Sequence, residues 1–169
     1  MIIHIVHGVN LDRLGVRQNE FYGSQTLEER IPILTGWLNK NWPNVELRFF
    51  QSNLEGEVVN YLSDNDEPGN AFLINPGAFT HSSLAIADSV AGLKAFVLEV
   101  HLSHTYAREA YRRKSLLAPY TCGTISGNAT TPRILRLMLY GNCPLRGIRT
   151  GSGGNYFFSK ERAKTPQHA

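Results

Sequence analysis

Two cysteines and two methionines in 169 residues leave little room for sulfur chemistry. Cys122 and Cys143 stand alone and twenty-one apart, without the paired spacing of a zinc site or the density of a disulfide scaffold. They read as ordinary thiols. No run approaches the roughly 18 apolar residues that a membrane helix needs, and MIIHIVHG at the start lacks a basic leader region and a small-residue cleavage site. The expectation is a cytoplasmic protein with no membrane partner. Gly-rich phosphate loops are also missing: HGVNLDRLG fits neither GxGxxG nor the P-loop spacing, and GSGG from residue 151 follows no strand. GTISG places its serine one position too late for a nucleophile elbow. His101 and His104 follow a strand directly with no completing carboxylate or cysteine, so a metal site is not expected.

Acidic residues are scarce in one region only. Residues 1 to 127 hold 10 Lys and Arg against 13 Asp and Glu, a net of −3, whereas residues 128 to 169 hold 7 against 1, a net of +6. The basic excess is therefore a property of the tail, and the body gives no support for a nucleic-acid partner. With 42% apolar residues, the length suits one domain with a sizeable core.

What is present alternates. Met1 to Val6 is a β-branched apolar run that ends in a polar loop and reads as a buried parallel strand. Thr26 followed by Glu29 forms a capping box, which predicts a helix to about Lys40. Pro32 inside it predicts a kink or a later start. Further strands are predicted at 44–50, 71–74, 95–100 and 121–126, and helices at 54–62, 82–92 and 106–114, with another opened by Thr131 and Pro132. This alternation predicts an α/β fold with a parallel sheet and helices on both faces. Ligands of such sheets bind beyond the carboxyl ends of the strands. Here those ends read HGVN, QSN, NPGAFTH and EVHLSH, so Asn10, Asn53, Asn75, His81, Glu99, His101 and Ser103 converge on one rim. A polar residue after a strand is often only a turn or cap, but two histidines, three asparagines and a serine together point to a site.

Taken in order, HGVNLDRLGVRQNEFYG, FFQSNLEGEVVNYL, INPGAFTHSSLAIADSV, LEVHLSHTYAREAYRRKS and CGTISG resemble the type II 3-dehydroquinate dehydratases through most of residues 2 to 127. The resemblance implies a flavodoxin-like three-layer sandwich with a five-stranded parallel sheet, and trimers assembled into a dodecamer. It implies loss of water from 3-dehydroquinate, a small-molecule substrate, through an enolate and without metal or cofactor. On the same resemblance Tyr22 is the base and Arg17 activates it. Asn10 holds the water at the enolate oxygen, His101 is the general acid, and Glu99 orients His101. Asn75, His81 and Arg112 bind substrate hydroxyls, and Leu102 and Ser103 receive the carboxylate. Asp88 is supplied to a neighbouring subunit, and Arg108 belongs to the basic stretch that closes the site.

The chemistry suits these groups. A free phenol titrates near 10, so a tyrosine acting as base at neutral pH needs a cation beside it in a partly dry site. Arg17 and Tyr22 share a loop that Gly15 and Gly23 allow to bend over a ligand. Glu99 lies two residues before His101, on the same strand face. Against the family pattern, Val9 and Asn19 stand where proline is usual, and QSNLEG has Leu54 where histidine is usual. These departures keep open a non-catalytic binder of quinate-like molecules; a flavin-binding module is a second rival. Residues 1–141 are expected to form the catalytic domain and residues 142–169 a basic, Gly-rich extension, poorly packed or touching another subunit.

Overall fold

The computed structural model describes residues 1–16 and 24–127. Among the described residues, five parallel strands form a single sheet: β1 (Ile2–His7), β2 (Glu46–Gln51), β3 (Ala71–Asn75), β4 (Phe96–His101) and β5 (Gly123–Ser126), in the order β2-β1-β3-β4-β5. The sheet is covered by α1 (Leu27–Asn41) on one face and by α2 (Glu55–Asp64) and α4 (Leu84–Gly92) on the other, with the single turn α3 (Phe79–Ser82) leading into α4. This is the expected three-layer α/β sandwich.

The strand sequences dictate this sandwich. Ile3 and Ile5 turn to one face and pack with Leu34, Leu38 and Trp42 of the α1 side, while Val6 joins Val58, Leu62, Ile86 and Val90 from α2 and α4. Alternation at a period of two thus feeds two separate cores from one sheet. Each fully buried Leu or Ile among them contributes about 1.5–3 kcal/mol of transfer free energy.

α1 begins where its capping box places it. Thr26 Oγ1 accepts from the Glu29 N–H at 3.2 Å, and Glu29 Oε2 accepts from the Thr26 N–H at 3.0 Å. The helix does not start late, although Pro32 lies within it. The carbonyl deprived of a partner is that of exposed Glu28, which water can satisfy.

Two predicted helices are corrected. The 82–92 helix is broken at Ser83, whose extended backbone (φ −93°, ψ 102°) ends α3 and whose hydroxyl caps α4 by accepting from the Ile86 N–H at 2.9 Å. The 106–114 segment forms two short 3-10 turns, Thr105–Ala107 and Ala110–Arg113, because extended backbone at Arg108 and Glu109 separates them. The helix expected after Thr131 and the 142–169 extension lie outside the described residues. No helix among the described residues is long and apolar enough to cross a membrane.

Register then aims the site. His7 is paired with both Gln51 and Asn75, so β1, β2 and β3 end level, while the Ile74–Glu99 pairing carries β4 one residue further, to His101, which is level with Ser126 of β5.

Candidate active site

Beyond this edge the loop after β1 turns sharply. Asn10 adopts the left-handed conformation (φ 63°), and its N–H donates to Asn53 Oδ1 at 2.6 Å. Asn53 is held in turn by Gln51 Nε2 at 3.2 Å and donates to Asp12 at 3.3 Å. The loops after β1 and β3 interlock. A Cβ at Gly8 would lie 2.3 Å from the Pro76 carbonyl oxygen, and one at Gly77 (φ 63°) 2.6 Å from that of Val9. Only glycine allows that double approach.

Asn10, Asn75, His81 and His101 line a cleft at this edge, and Leu102, Ser103 and Arg112 complete its wall. Seven of the twelve residues named from the sequence therefore meet in one place. Glu99 stands behind them and is fully buried. Its Oε1 lies 2.8 Å from His101 Nε2. Thr80 Oγ1 donates to the same oxygen, Ser115 Oγ lies 2.9 and 2.8 Å from Oε1 and Oε2, and Thr124 Oγ1 donates to Oε2 at 3.2 Å. Burial is the largest influence on this carboxyl and pushes it up, but the His101 imidazole and the Thr80 and Ser115 hydroxyls together outweigh it and hold Glu99 below its ordinary value. A buried carboxylate thus anchors His101 Nε2–H and leaves Nδ1 for the cleft.

His81 is anchored differently. Its Nδ1 lies 2.7 Å from the Lys114 carbonyl oxygen, which only accepts, so Nδ1 carries the proton and a neutral His81 offers a lone pair at Nε2. Arg112 is held by Glu109 at 2.8 Å, and Arg108 reaches Ser103 Oγ at 3.3 Å. Asp88 is not brought into the cleft; it stands exposed on α4. Arg108 touches a lining residue without lining the cleft itself. Arg17 and Tyr22 lie outside the described residues. Thr80, Ser115 and Thr124, which surround Glu99, were not singled out from the sequence. Their only local signal is Thr80 within NPGAFTH.

The arrangement offers an anion-backed imidazole, amide groups and a guanidinium in one cleft, which suits protonating a leaving oxygen on a small polyhydroxylated ligand.

Comparison with known proteins agrees. The family model described as "Dehydroquinase class II" matches residues 1–137. A 3-dehydroquinate dehydratase of Sulfurovum sp. (strain NBC37-1) is 42% identical over 127 residues, covering 75% of this chain and 77% of that protein. That of Pelotomaculum thermopropionicum is 43% identical over 140 residues, covering 81% and 94%. The crystal structure of type II dehydroquinase from Butyrivibrio crossotus superposes with a TM-score of 0.74 at 32% identity, covering 81% of this chain and 94% of that one.

Proposed function

Because the chain belongs to the class II dehydroquinase family, we propose that it is a lyase that dehydrates 3-dehydroquinate to 3-dehydroshikimate. The observation that carries this reading is the His101–Glu99 pair, buried behind a cleft at the strand ends, in a chain that matches the family over residues 1–137.

Elimination beside a ketone needs a base, a holder for enolate charge and an acid for the departing hydroxyl. In our reading Tyr22, made anionic by Arg17, takes the proton from the carbon next to the carbonyl. Asn10 holds a water against the enolate oxygen, so negative charge gathers opposite a fixed dipole. His101, protonated at both nitrogens and backed by Glu99, releases its Nδ1 proton to the leaving hydroxyl. Water departs, the enolate collapses, and a conjugated enone remains. Asn75, His81 and Arg112 hold substrate hydroxyls. Leu102 and Ser103 receive the carboxylate, a role supported by the Arg108 guanidinium 3.3 Å from Ser103 Oγ. Neither metal nor cofactor takes part. The trimer-based dodecamer, with Asp88 reaching a neighbouring subunit, and a cytoplasmic setting belong to the same reading.

The test is direct. Mixed with 3-dehydroquinate, the wild-type chain produces rising ultraviolet absorbance from the enone, and Tyr22→Phe does not. If both variants bind substrate and neither turns it over, the protein is a binder and not a lyase. The mass of the assembly in solution tests the dodecamer.

A further inference from the structure

We propose that Ser115 is a positioning residue of the dehydration: its hydroxyl locks the Glu99 carboxylate behind His101 and ties the segment that carries Arg112 to the same anion. The inference rests on the lyase reading above and goes beyond the residues named there.

The argument begins with lone pairs. A serine oxygen has two lone pairs and one proton. Both acceptor sites of Ser115 Oγ are occupied by backbone, the Leu117 N–H at 3.1 Å and the Ala118 N–H at 2.9 Å. The hydroxyl is therefore an obligate donor, and its proton faces Glu99, whose two oxygens lie at 2.9 and 2.8 Å. Thr80 Oγ1, 2.9 Å away, spends its own proton on Glu99 Oε1. Two backbone dipoles thus polarise Ser115 toward the carboxylate, the cooperative arrangement that strengthens each member of a chain.

The same oxygen has a mechanical consequence. The segment after the second 3-10 turn is stitched to the site at three successive residues: the Lys114 carbonyl accepts from His81, Ser115 donates to Glu99, and the Leu116 N–H donates to the Thr80 carbonyl at 2.8 Å. Arg112, at the cleft wall, lies three residues before Ser115. Removing the hydroxyl releases the middle stitch and raises the basicity of the anion behind His101 together. Among the described residues, the ionisable groups near Glu99 include His101 in direct contact, His81 stacked beside that imidazole, and Arg112 in the lining of the same cleft.

Ser115→Ala and Ser115→Thr are compared with wild type for kcat, KM and the pH dependence of kcat. Loss of one charge-assisted bond predicts a fall in kcat of about tenfold in Ser115→Ala, a smaller rise in KM, and an acid limb moved to higher pH. Ser115→Thr, which keeps the hydroxyl, returns that limb to its wild-type place. A folded Ser115→Ala with wild-type kcat and limb overturns the proposal. So does a loss of rate with an unmoved limb, shared equally by the threonine variant, since that is a structural defect alone. Should Ser115→Ala not fold, Ser115→Cys, with similar volume and a weaker donor, must show the displaced limb or the proposal fails. Carbon-13 NMR titration of the Glu99 carboxyl reads the same displacement without turnover: an inactive wild type sinks the lyase reading, and an unmoved Glu99 titration in Ser115→Ala sinks the Ser115–Glu99 lock, so the two failures are told apart.

Discussion

The imidazole rings of His81 and His101 lie nearly parallel, 12° apart in plane with centroids 6.5 Å from each other. They are anchored differently. His101 is anchored at Nε2 by the Glu99 carboxylate 2.8 Å away, whereas His81 is anchored at Nδ1 by the Lys114 carbonyl oxygen at 2.7 Å. One ring is held by an anion and the other by a neutral backbone acceptor.

Substitution should separate the two roles. His101→Gln removes the proposed general acid and is expected to lower kcat by about 10²–10⁴-fold. His81→Gln removes a proposed binding contact and is expected mainly to raise KM, by about tenfold, a contact's worth of about 1.4 kcal/mol. Steady-state kinetics on both variants decide the matter. Equal losses in kcat would refute the division of labour.

Chelation gives an independent check. Dialysis of the enzyme against EDTA is expected to leave its rate unchanged, since every step in the proposed route uses a side chain or water. Strong inhibition, reversed by adding a divalent ion, would contradict that route.

The interlocked glycines yield a stability prediction. Gly77→Ala meets the Val9 carbonyl oxygen at 2.6 Å and forces a left-handed residue to carry a side chain. Strain alone costs about 1–3 kcal/mol, and the displaced loops carry Asn10 and Asn75. Gly36→Ala, in α1 with nothing within 4 Å, should instead stabilise by about 0.5–1 kcal/mol. Thermal melting of the two variants should shift in opposite directions. A shared direction would show that local packing is not the deciding factor.

Acid sensitivity follows from two histidines of β1. His4 is fully buried; its Nδ1 lies 2.9 Å from the Tyr61 hydroxyl, and its ring lies 5.0 Å from that of Phe72. Burial, and secondarily Arg48, lower His4 below its ordinary 6.5. His7 is partly exposed overall, yet its Nδ1 is sealed with no hydrogen-bond partner among the described residues; burial, then Arg30, lowers it to about 4. Both groups prefer the neutral form in the fold. The stability they support is complete above about 6.5 and is withdrawn as pH falls, for His7 down to about 4. Urea midpoints between pH 7.5 and 4 should decline through that window, and His7→Gln should flatten part of the decline. Tyr61→Phe should lower stability by about 1–3 kcal/mol at neutral pH by orphaning a buried nitrogen. A midpoint insensitive to pH in this range would remove the linkage argument.

Local signals proved readable. The Thr26–Glu29 box places the start of α1, and the alternation of apolar runs yields the parallel sheet because both depend on neighbours in sequence. The Glu99–His101 pair is equally local, two residues apart on β4. The arginines and alanines of the segment after β4 favour a helix, whereas long-range bonds to Lys114, Ser115 and Leu116 accompany a different path. The other donors to Glu99 were unreadable for a similar reason: Thr80, Ser115 and Thr124 come from 19, 16 and 25 positions away. Separations of that kind have no periodicity to betray them. The resemblance to a family, not spacing, supplied the names of Arg112 and Leu102.

The left-handed backbone at Asn10 narrows the mutational routes open to this position. Few side chains tolerate that geometry, chiefly glycine, asparagine and aspartate. Glycine keeps the shape and surrenders the amide; aspartate keeps it and sets a fixed anion where the proposed route gathers enolate charge. On that route a drifting lineage finds no silent neighbour at residue 10: the backbone shape admits few residues, and the charge requirement of the proposed chemistry removes the ones it admits.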